Sequence, residues 1–303
     1  MKRSVPSFVV FACVLVSGFD RADAQTMDRV SADSSGAPGN SFSDLSSISS
    51  DGRFIVFHSH STNLVAGDNN GTPDVFFHDQ QTGETRLVNA SSSGAQGNGR
   101  SFETRISADG RFVSFYSTST NLVTPPTSGT RDVYVRDMAT GMTTLVSSSG
   151  AGGQGDDASD NPYISPDGRF VAFASLATNL VPGDTNGAKD VFVRDLFAAT
   201  TARVSVDSFG MQSIGGTSEQ PSISADGRFV AFISAATNLV AGDTNGTADA
   251  FVHDAMTGTT ERVSVNSAGE GGNGSCLVTL LTYTAVSADG RFVAFSSRAS
   301  NLV

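Results

Sequence analysis

Disulfide-forming cysteine is almost absent from this 303-residue chain, which has two cysteines and no tryptophan. Cys13 lies in an N-terminal apolar segment that we expect to be removed, so Cys276 would remain alone and no intrachain disulfide could form. The fold must then be stabilised by burial of apolar side chains. A chain of this length can build a large core without covalent links.

Basic residues are also scarce. Lys2 and Lys189 are the only lysines, and the formal net charge at pH 7 is −11. Because so acidic a chain repels a phosphate backbone, we expect no nucleic-acid partner. Cations suit this charge better.

Long apolar runs are missing after the N-terminus. Lys2 and Arg3 precede the apolar segment VPSFVVFACVLVSGF and the small residues of ADAQ. This order of charge, short apolar segment and cleavage site predicts a signal peptide over residues 1–24. An uncleaved anchor or, because of Cys13, a lipoprotein are the alternatives. We expect a secreted or periplasmic protein with no stable membrane insertion after cleavage.

The tripeptide Asp-Gly-Arg occurs five times at nearly constant spacing. It begins at Asp51, Asp109, Asp167, Asp226 and Asp289, so successive copies are 58, 58, 59 and 63 residues apart. A fixed period of this size predicts an array of supersecondary units.

Each unit has the pattern of four β-strands. A segment such as PSIS leads to Asp-Gly, which favours a hairpin because both turn residues tolerate positive φ. The following RFVAF is apolar on both faces, as in a strand covered on both sides. DVFVRD and TTERVSV predict a third and a fourth strand. Four antiparallel strands per unit make the fold class all-β and predict a β-propeller, with a β-solenoid as the alternative.

The phrases S-[AP]-D-G-R-F-V-A-F and D-V-[FY]-V-R-D-x-x-T-G together resemble the WD40-like β-propeller repeat of the TolB-type periplasmic proteins. This resemblance implies a propeller whose faces bind other proteins or carbohydrate, usually without catalysis. The units here are longer than the family repeat of about forty residues, and we expect no separate N-terminal domain before them. We therefore expect the architecture of the family without its role in an envelope-spanning complex.

We expect one propeller domain over residues 25–303, with five four-stranded blades. The segment TMDRVSADSSGAPGN matches TTERVSVNSAGEGGN, the fourth strand of a blade, so the N-terminal strand would close the last blade and hide the sheet edges. A truncated version of a larger ring is the alternative. The repeats are at about 44–91, 102–148, 160–208, 219–267, and 281–303 completed by 26–34.

The loop GDTNGxxD, with GDNNGTPD as its first copy, is the sharpest candidate site. Oxygen ligands at alternate positions beside a glycine suit a hard cation, which predicts bound Ca²⁺. The closing glutamate of a calcium loop is missing, and turn formation by Asn-Gly and Asp explains the same residues without a metal. The second unit keeps only Asp132. The predicted ligands are Asp68, Asn70 and Asp74; Asp184, Asn186 and Asp190; and Asp243, Asn245 and Asp249.

Other polar residues recur at strand ends. We expect the aspartates that end the third strands to be solvated or to form weak ion pairs with a preceding Arg136 or Arg194. His58 and His60 share one strand face, a pair that could also bind a metal. The aspartates are Asp79, Asp137, Asp195 and Asp254.

Catalytic motifs are missing: there is no G-x-S-x-G, no evident carboxylate pair, and Cys276 lies in an apolar context. We expect a binding scaffold whose varied loops, GNGRSFETR, GDDASDNPY and GGTSEQPS, recognise a protein or carbohydrate ligand at a propeller face. A calcium-binding adhesion or structural module is the first alternative. A propeller hydrolase or lyase with its site at the central channel is the second. Ca²⁺ is the only cofactor that the sequence suggests.

Overall fold

The computed structural model describes residues 28–276 and 284–303, which form strands and turns with no helix. Within these ranges, no helix is long and apolar enough to cross a membrane. The predicted signal peptide over residues 1–24 lies outside the described residues. The chain forms two compact units, one up to Gly129 with Arg136–Thr143, the other Thr130–Val135 with the chain from Thr144 onward.

Four antiparallel sheets follow one another along the chain, each with its four strands side by side in chain order. The first consists of β1 (Ser43–Ile48), β2 (Phe54–Ser59), β3 (Asp74–Asp79) and β4 (Thr85–Leu87). The second consists of β5 (Ser101–Ile106), β6 (Phe112–Ser117), β7 (Asp132–Asp137) and β8 (Thr143–Leu145). The third consists of β9 (Ser159–Ile164), β10 (Phe170–Ser175), β11 (Asp190–Asp195) and β12 (Thr200–Arg203). The fourth consists of β13 (Ser218–Ile223), β14 (Phe229–Ser234), β15 (Asp249–Asp254) and β16 (Thr259–Arg262).

The fifth repeat contributes a shorter sheet. It pairs β17 (Ala285–Val286) with β18 (Val293–Ala294). The described contacts of the N-terminal segment are with the first sheet: Val30 packs on its core, and the carbonyl of Ala32 accepts a bond from Thr85 Oγ1 at 2.6 Å. Closure of the last blade by residues 26–34, and the domain limits, stay predictions.

The second strand of each sheet is largely buried, as RFVAF predicts. In β10 every residue after Phe170 is buried, and Phe173 lies opposite Phe192 on β11. Their rings stack with centroids 5.8 Å apart, a cross-strand pair that fixes register as well as burying area. Phe57 with Phe76 repeats this pair in the first sheet.

The Asp-Gly hairpin is confirmed, but its geometry differs from a two-residue turn. At Asp226-Gly227 only the glycine has positive φ, 74°. The N–H of Ser224 donates to the carbonyl of Phe229 at 2.9 Å, so four residues separate the bonded pair. Asp226 Oδ1 instead accepts bonds from Ser224 Oγ (2.6 Å) and the N–H of Arg228 (3.0 Å). The aspartate is required as an acceptor, and only the glycine for its backbone conformation.

The first strand of each four-stranded sheet has a β-bulge that the sequence does not predict. The pairing of β13 with β14 shifts between Glu219 and Ser222. The residue inside the bulge has positive φ without being glycine, so it is strained in all four sheets. These residues are Leu45, Glu103, Asn161 and Gln220, with φ of 49–52°.

Candidate functional site

The three residues of the first Asp–Asn–Asp loop do come together. Asn70 Nδ2 donates to Asp74 Oδ1 at 3.1 Å and to the carbonyl of Gly97 at 2.9 Å. Gln96 Nε2 bridges the two aspartates, 2.7 Å from Asp68 Oδ1 and 2.9 Å from Asp74 Oδ2. Burial raises the pKa of Asp74 to about 6. A side-chain amide thus stands where a cation was predicted.

An arginine occupies the same place in the third sheet. Arg203 Nη1 lies 3.0 Å from Asp184 Oδ1 and 3.4 Å from Asp190 Oδ2. Asn186 Nδ2 donates to Asp190 Oδ2 at 2.8 Å. The guanidinium supplies the positive charge between the two buried carboxylates.

The fourth sheet repeats this arrangement. Arg262 Nη1 lies 3.2 Å from Asp243 Oδ1 and 3.6 Å from Asp249 Oδ2. Asn245 Nδ2 donates to Asp249 Oδ2 at 2.7 Å. Here too the protein provides its own cation.

The first sheet lacks that cation, because Leu87 stands where Arg203 stands in the third. Asp68 Oδ2 is buried and has no hydrogen-bond partner. An open pocket of about 490 Å³ adjoins the loop and is lined by Asn69, Asn70 and Gln96 among others. No group of three or more His, Cys, Asp or Glu residues in the described ranges is placed to hold a metal. Calcium at these loops stays a prediction, and the first loop is the one without an internal cation.

The aspartates that end the third strands are not solvated ends. Arg53 of the first Asp-Gly-Arg donates to Asp79 through Nε (2.9 Å) and Nη2 (2.7 Å), and its guanidinium lies 4.6 Å from the Phe54 ring. This bidentate bond holds the pKa of Asp79 well below its usual range. The same pairing recurs as Arg111–Asp137, Arg169–Asp195 and Arg228–Asp254.

The expected pairing of Arg136 with these aspartates is therefore wrong. Arg136 Nη1 donates instead to the carbonyl of Ala90 and to Thr143 Oγ1, both at 2.9 Å. Arg194 binds backbone carbonyls and Thr201 in the same way. These side chains tie one sheet to the link that precedes it, a structural role.

Five aromatic side chains form a continuous group at the ends of the first two sheets, which we call the aromatic platform: Phe42, His58, His60, Phe102 and Tyr116. Phe42 is 53% exposed and stacks on His60 with centroids 4.1 Å apart. His58 lies 5.1 Å from His60 and 4.5 Å from Phe102, which stacks on Tyr116 at 5.6 Å. The sequence showed only the His58–His60 pair, because the other rings are distant along the chain.

A carboxylate borders this platform. His58 Nδ1 lies 2.6 Å from Asp44 Oδ1, and the Asp44 side chain is 42% exposed. Burial lowers the pKa of His58, opposed by Asp44, which favours the neutral ring with its proton directed at Asp44. The bond to His58 fixes the orientation of the partly exposed Asp44 carboxyl group.

The platform is where the repeats differ. Ala174 and Ile233 stand in the place of His58 in the third and fourth sheets, and Leu176 and Ala235 in the place of His60. These aliphatic side chains show that the fold does not require rings there. The aromatic side chains are thus additions to the common framework, as expected of a recognition surface.

His58 is not placed to transfer a proton to or from a ligand. His58 is 2% exposed, and its Nε2 is buried with no hydrogen-bond partner. A general base must reach the proton that it removes, and this nitrogen has no access to a ligand. Cys276 is buried as expected, and burial raises the pKa of its thiol, which suits packing rather than nucleophilic attack.

Comparison with known proteins gives the fold. No protein-family model and no curated protein matches the sequence. A putative TolB from Agrobacterium tumefaciens is similar in structure, with a TM-score of 0.51 and 16% identity over 86% of this chain and 72% of that one. An oligogalacturonate lyase in complex with manganese has a TM-score of 0.52 and 12% identity over 86% of this chain and 63% of that one.

The chain therefore has a β-propeller fold of four-stranded antiparallel blades, similar to that of TolB. Four complete sheets and one two-stranded sheet are consistent with five blades. At these identities the likeness shows the fold alone. Because one neighbour is an enzyme, the fold does not decide between binding and catalysis, and the function depends on the geometry of the site.

Proposed function

We propose that this chain is an exported β-propeller binding protein that recognises a protein or carbohydrate ligand without converting it. The aromatic platform is the recognition surface. The signal-peptide pattern over residues 1–24 supports export to the periplasm or the exterior.

One observation carries this proposal: an exposed Phe42 ring is held rigidly beside a half-exposed carboxylate. Phe42 is fixed by its stack on His60, and Asp44 by its bond to His58. A flat apolar face next to a fixed acceptor suits a ligand that is itself part apolar and part hydroxyl or amide, such as a sugar ring or a peptide. Both groups are held in place before the ligand arrives, which lowers the entropy cost of binding.

Charged side chains outside the aromatic platform also support a non-catalytic role. The charged pairs between Asp-Gly-Arg and the third strands recur from blade to blade, as structural groups do. In addition, His58 of the platform is too deeply buried to act on a ligand.

A panel of immobilised glycans and peptides, probed with the mature chain and with Phe42→Ala, tests the proposal. We expect binding to a defined subset, weakened about tenfold or more by Phe42→Ala, since a central aromatic contact contributes at least that much. Met142→Ala removes an exposed apolar side chain of a β7–β8 turn and serves as the matched control. Equal loss of binding in both variants, or unchanged binding in Phe42→Ala, would contradict the assignment.

A further inference from the structure

A second surface lies on the hairpin that links the third blade to the fourth. Residues Val206 and Gln212 form its closing bridge. Phe209 at its tip is 93% exposed, Met211 is 59% exposed, and Ile214 just beyond is 57% exposed. Three large apolar side chains within six residues are therefore each more than half exposed.

Equivalent hairpins precede the other blades, and they carry no large apolar side chain at these places. Each is closed by a bridge at the same place, so that residues can be compared one by one. The place of Phe209 is taken by Ser35, Ser93, Ala151 and Ala268. The place of Met211 is taken by Ala37, Ala95, Gly153 and Glu270. The hairpin fold therefore requires neither a ring nor a thioether.

The position of Ile214 is occupied by Asn or Asp in the other hairpins, and that polar side chain forms structural hydrogen bonds. Asn98 Oδ1 accepts the N–H of Thr120 at 2.8 Å and Asn98 Nδ2 donates to Thr120 Oγ1 at 2.9 Å. Ile214 makes no such bonds, and the N–H of Thr237 turns to the carbonyl of Ile214 at 3.1 Å instead. The chain has exchanged an internal hydrogen-bonding side chain for an exposed apolar one. Asn40, Asp156 and Asn273 are the other equivalents.

The apolar hairpin is held in a fixed shape. Asp207 Oδ1 accepts the N–H groups of Phe209 and Met211, each at 2.8 Å. Ser208 Oγ accepts the N–H of Thr260 at 3.0 Å, which fastens the tip to β16. The turn before that strand carries Met256, which is 75% exposed. Phe209 thus projects from a rigid support.

We propose that this hairpin is a docking knob for a protein partner with an apolar cleft rimmed by basic side chains. The tip is convex, so its partner surface must be concave. Asp207 precedes the apolar residues in the hairpin, the exposed Glu261 follows Thr260, whose N–H is bonded to Ser208, and the whole chain carries −11. Like charges would oppose a second copy of this chain or an anionic membrane at this place, whereas a basic rim is attracted. The surface is independent of the aromatic platform.

Photo-crosslinking in the producing cells finds the partner. Phe209→p-benzoylphenylalanine is compared with Ala268→p-benzoylphenylalanine, the matched place in the next hairpin. We expect a discrete protein adduct from the first variant alone. Equal adducts from both, adducts with a second copy only, or adducts with lipid only would overturn the proposal.

The partner identified in this way is then purified and titrated against the mature chain. We expect Phe209→Ser to weaken its affinity about tenfold or more, Ala268→Ser to change it less than about twofold, and added salt to weaken it. Ile214→Asn should weaken binding while the melting temperature stays unchanged or rises, because the Asn98-type bonds are restored. Equal affinity in Phe209→Ser, or no effect of salt, would refute the knob. Neither result bears on ligand binding at Phe42.

Discussion

The ring of Phe170 lies directly on the backbone of Gly227, in the turn of the next blade. A Cβ at Gly227 would overlap Phe170 Cδ2, so the ring or the turn would have to shift. Phe54 meets Gly110 in the same way. The phenylalanine and the glycine of Asp-Gly-Arg-Phe are therefore two halves of one contact between successive blades, which explains why the whole phrase recurs.

Gly227→Ala should destabilise the protein strongly. Its φ of 74° adds strain for any side chain, and the Phe170 ring adds a steric clash, together about 3 kcal/mol. Chemical denaturation followed by circular dichroism measures the change in the free energy of unfolding. Gly242→Ala is the matched control, because Gly242 has the same φ of 74° but nothing within 4 Å of a Cβ. It should cost only about 1 kcal/mol. Equal losses in the two variants would mean that the contact between Phe170 and Gly227 does not contribute to the free energy of unfolding.

Calcium is best tested where the internal arginine is missing. If the first loop binds Ca²⁺, millimolar calcium should raise the melting temperature of the mature chain, since a ligand of the native state alone stabilises it. Leu87→Arg should remove the calcium effect by placing a guanidinium between Asp68 and Asp74, as Arg203 does in the third blade. A calcium response that survives in Leu87→Arg would place the ion elsewhere, and no response in the mature chain would retire the prediction.

Removing the arginine from the third blade tests whether Ca²⁺ can replace its guanidinium. Arg203→Leu leaves Asp184 and Asp190 as a buried carboxylate pair without a cation, which should lower stability by about 3 kcal/mol. If the loops suit calcium, the ion should restore part of this loss. Terbium luminescence titrations of the two proteins would show a new site in the variant; a silent titration and an unrestored melt would show that the loop geometry excludes the metal.

Stability should depend on pH through Asp132. Burial raises the pKa of Asp132 to about 6 in the folded chain, where its carboxylate accepts bonds from Ser147 and Gln154. A carboxyl whose pKa rises on folding stabilises the native state while protonated. That contribution is complete below 3.8, the pKa in the unfolded chain, and is lost as pH rises through 6. Asp132→Asn should flatten the dependence between pH 4 and 6.5 by up to about 3 kcal/mol.

Denaturant titrations from pH 3 to 7 measure this difference. The buried histidines act in the opposite sense, because burial lowers the pKa of His58 and favours the neutral ring; only the difference between variant and parent is therefore diagnostic. Asp137→Asn is the control of opposite sign: Arg111 holds the pKa of Asp137 at about 2, so its contribution is lost as pH falls below 4. Parallel curves for Asp132→Asn and the parent would show that the buried Asp132 carboxyl does not contribute to the pH dependence of the free energy of unfolding.

The strands and turns could be predicted because their signals are local. RFVAF is apolar throughout and Asp-Gly marks the turn, so β10 and the hairpin before it follow from neighbouring residues. The bulges could not be predicted, since Leu45 and Gln220 share no chemistry that favours positive φ. Their conformation is imposed by the surrounding sheet.

Most of the features that could not be predicted from the sequence are contacts between residues that are distant along the chain. Arg53 and Asp79 are 26 residues apart, as are the other pairs of this kind, so the sequence instead suggested Arg136 and Arg194 as partners of the aspartates that follow them. The filling of two Asp–Asn–Asp loops by Arg203 and Arg262 depends on register between the third and fourth strands. The aromatic platform joins two blades, and only its His58–His60 pair is close in the chain.

The most direct test of the central claim is recovery of the bound ligand. A glycan or peptide selected by Phe42-dependent binding is incubated with the mature chain for a day at saturating protein and then analysed by mass spectrometry. A binding protein should return the ligand with unchanged mass while calorimetry shows a stoichiometric complex. Cleaved or eliminated products, formed by the parent and lost in Phe42→Ala, would show instead that the platform belongs to an enzyme.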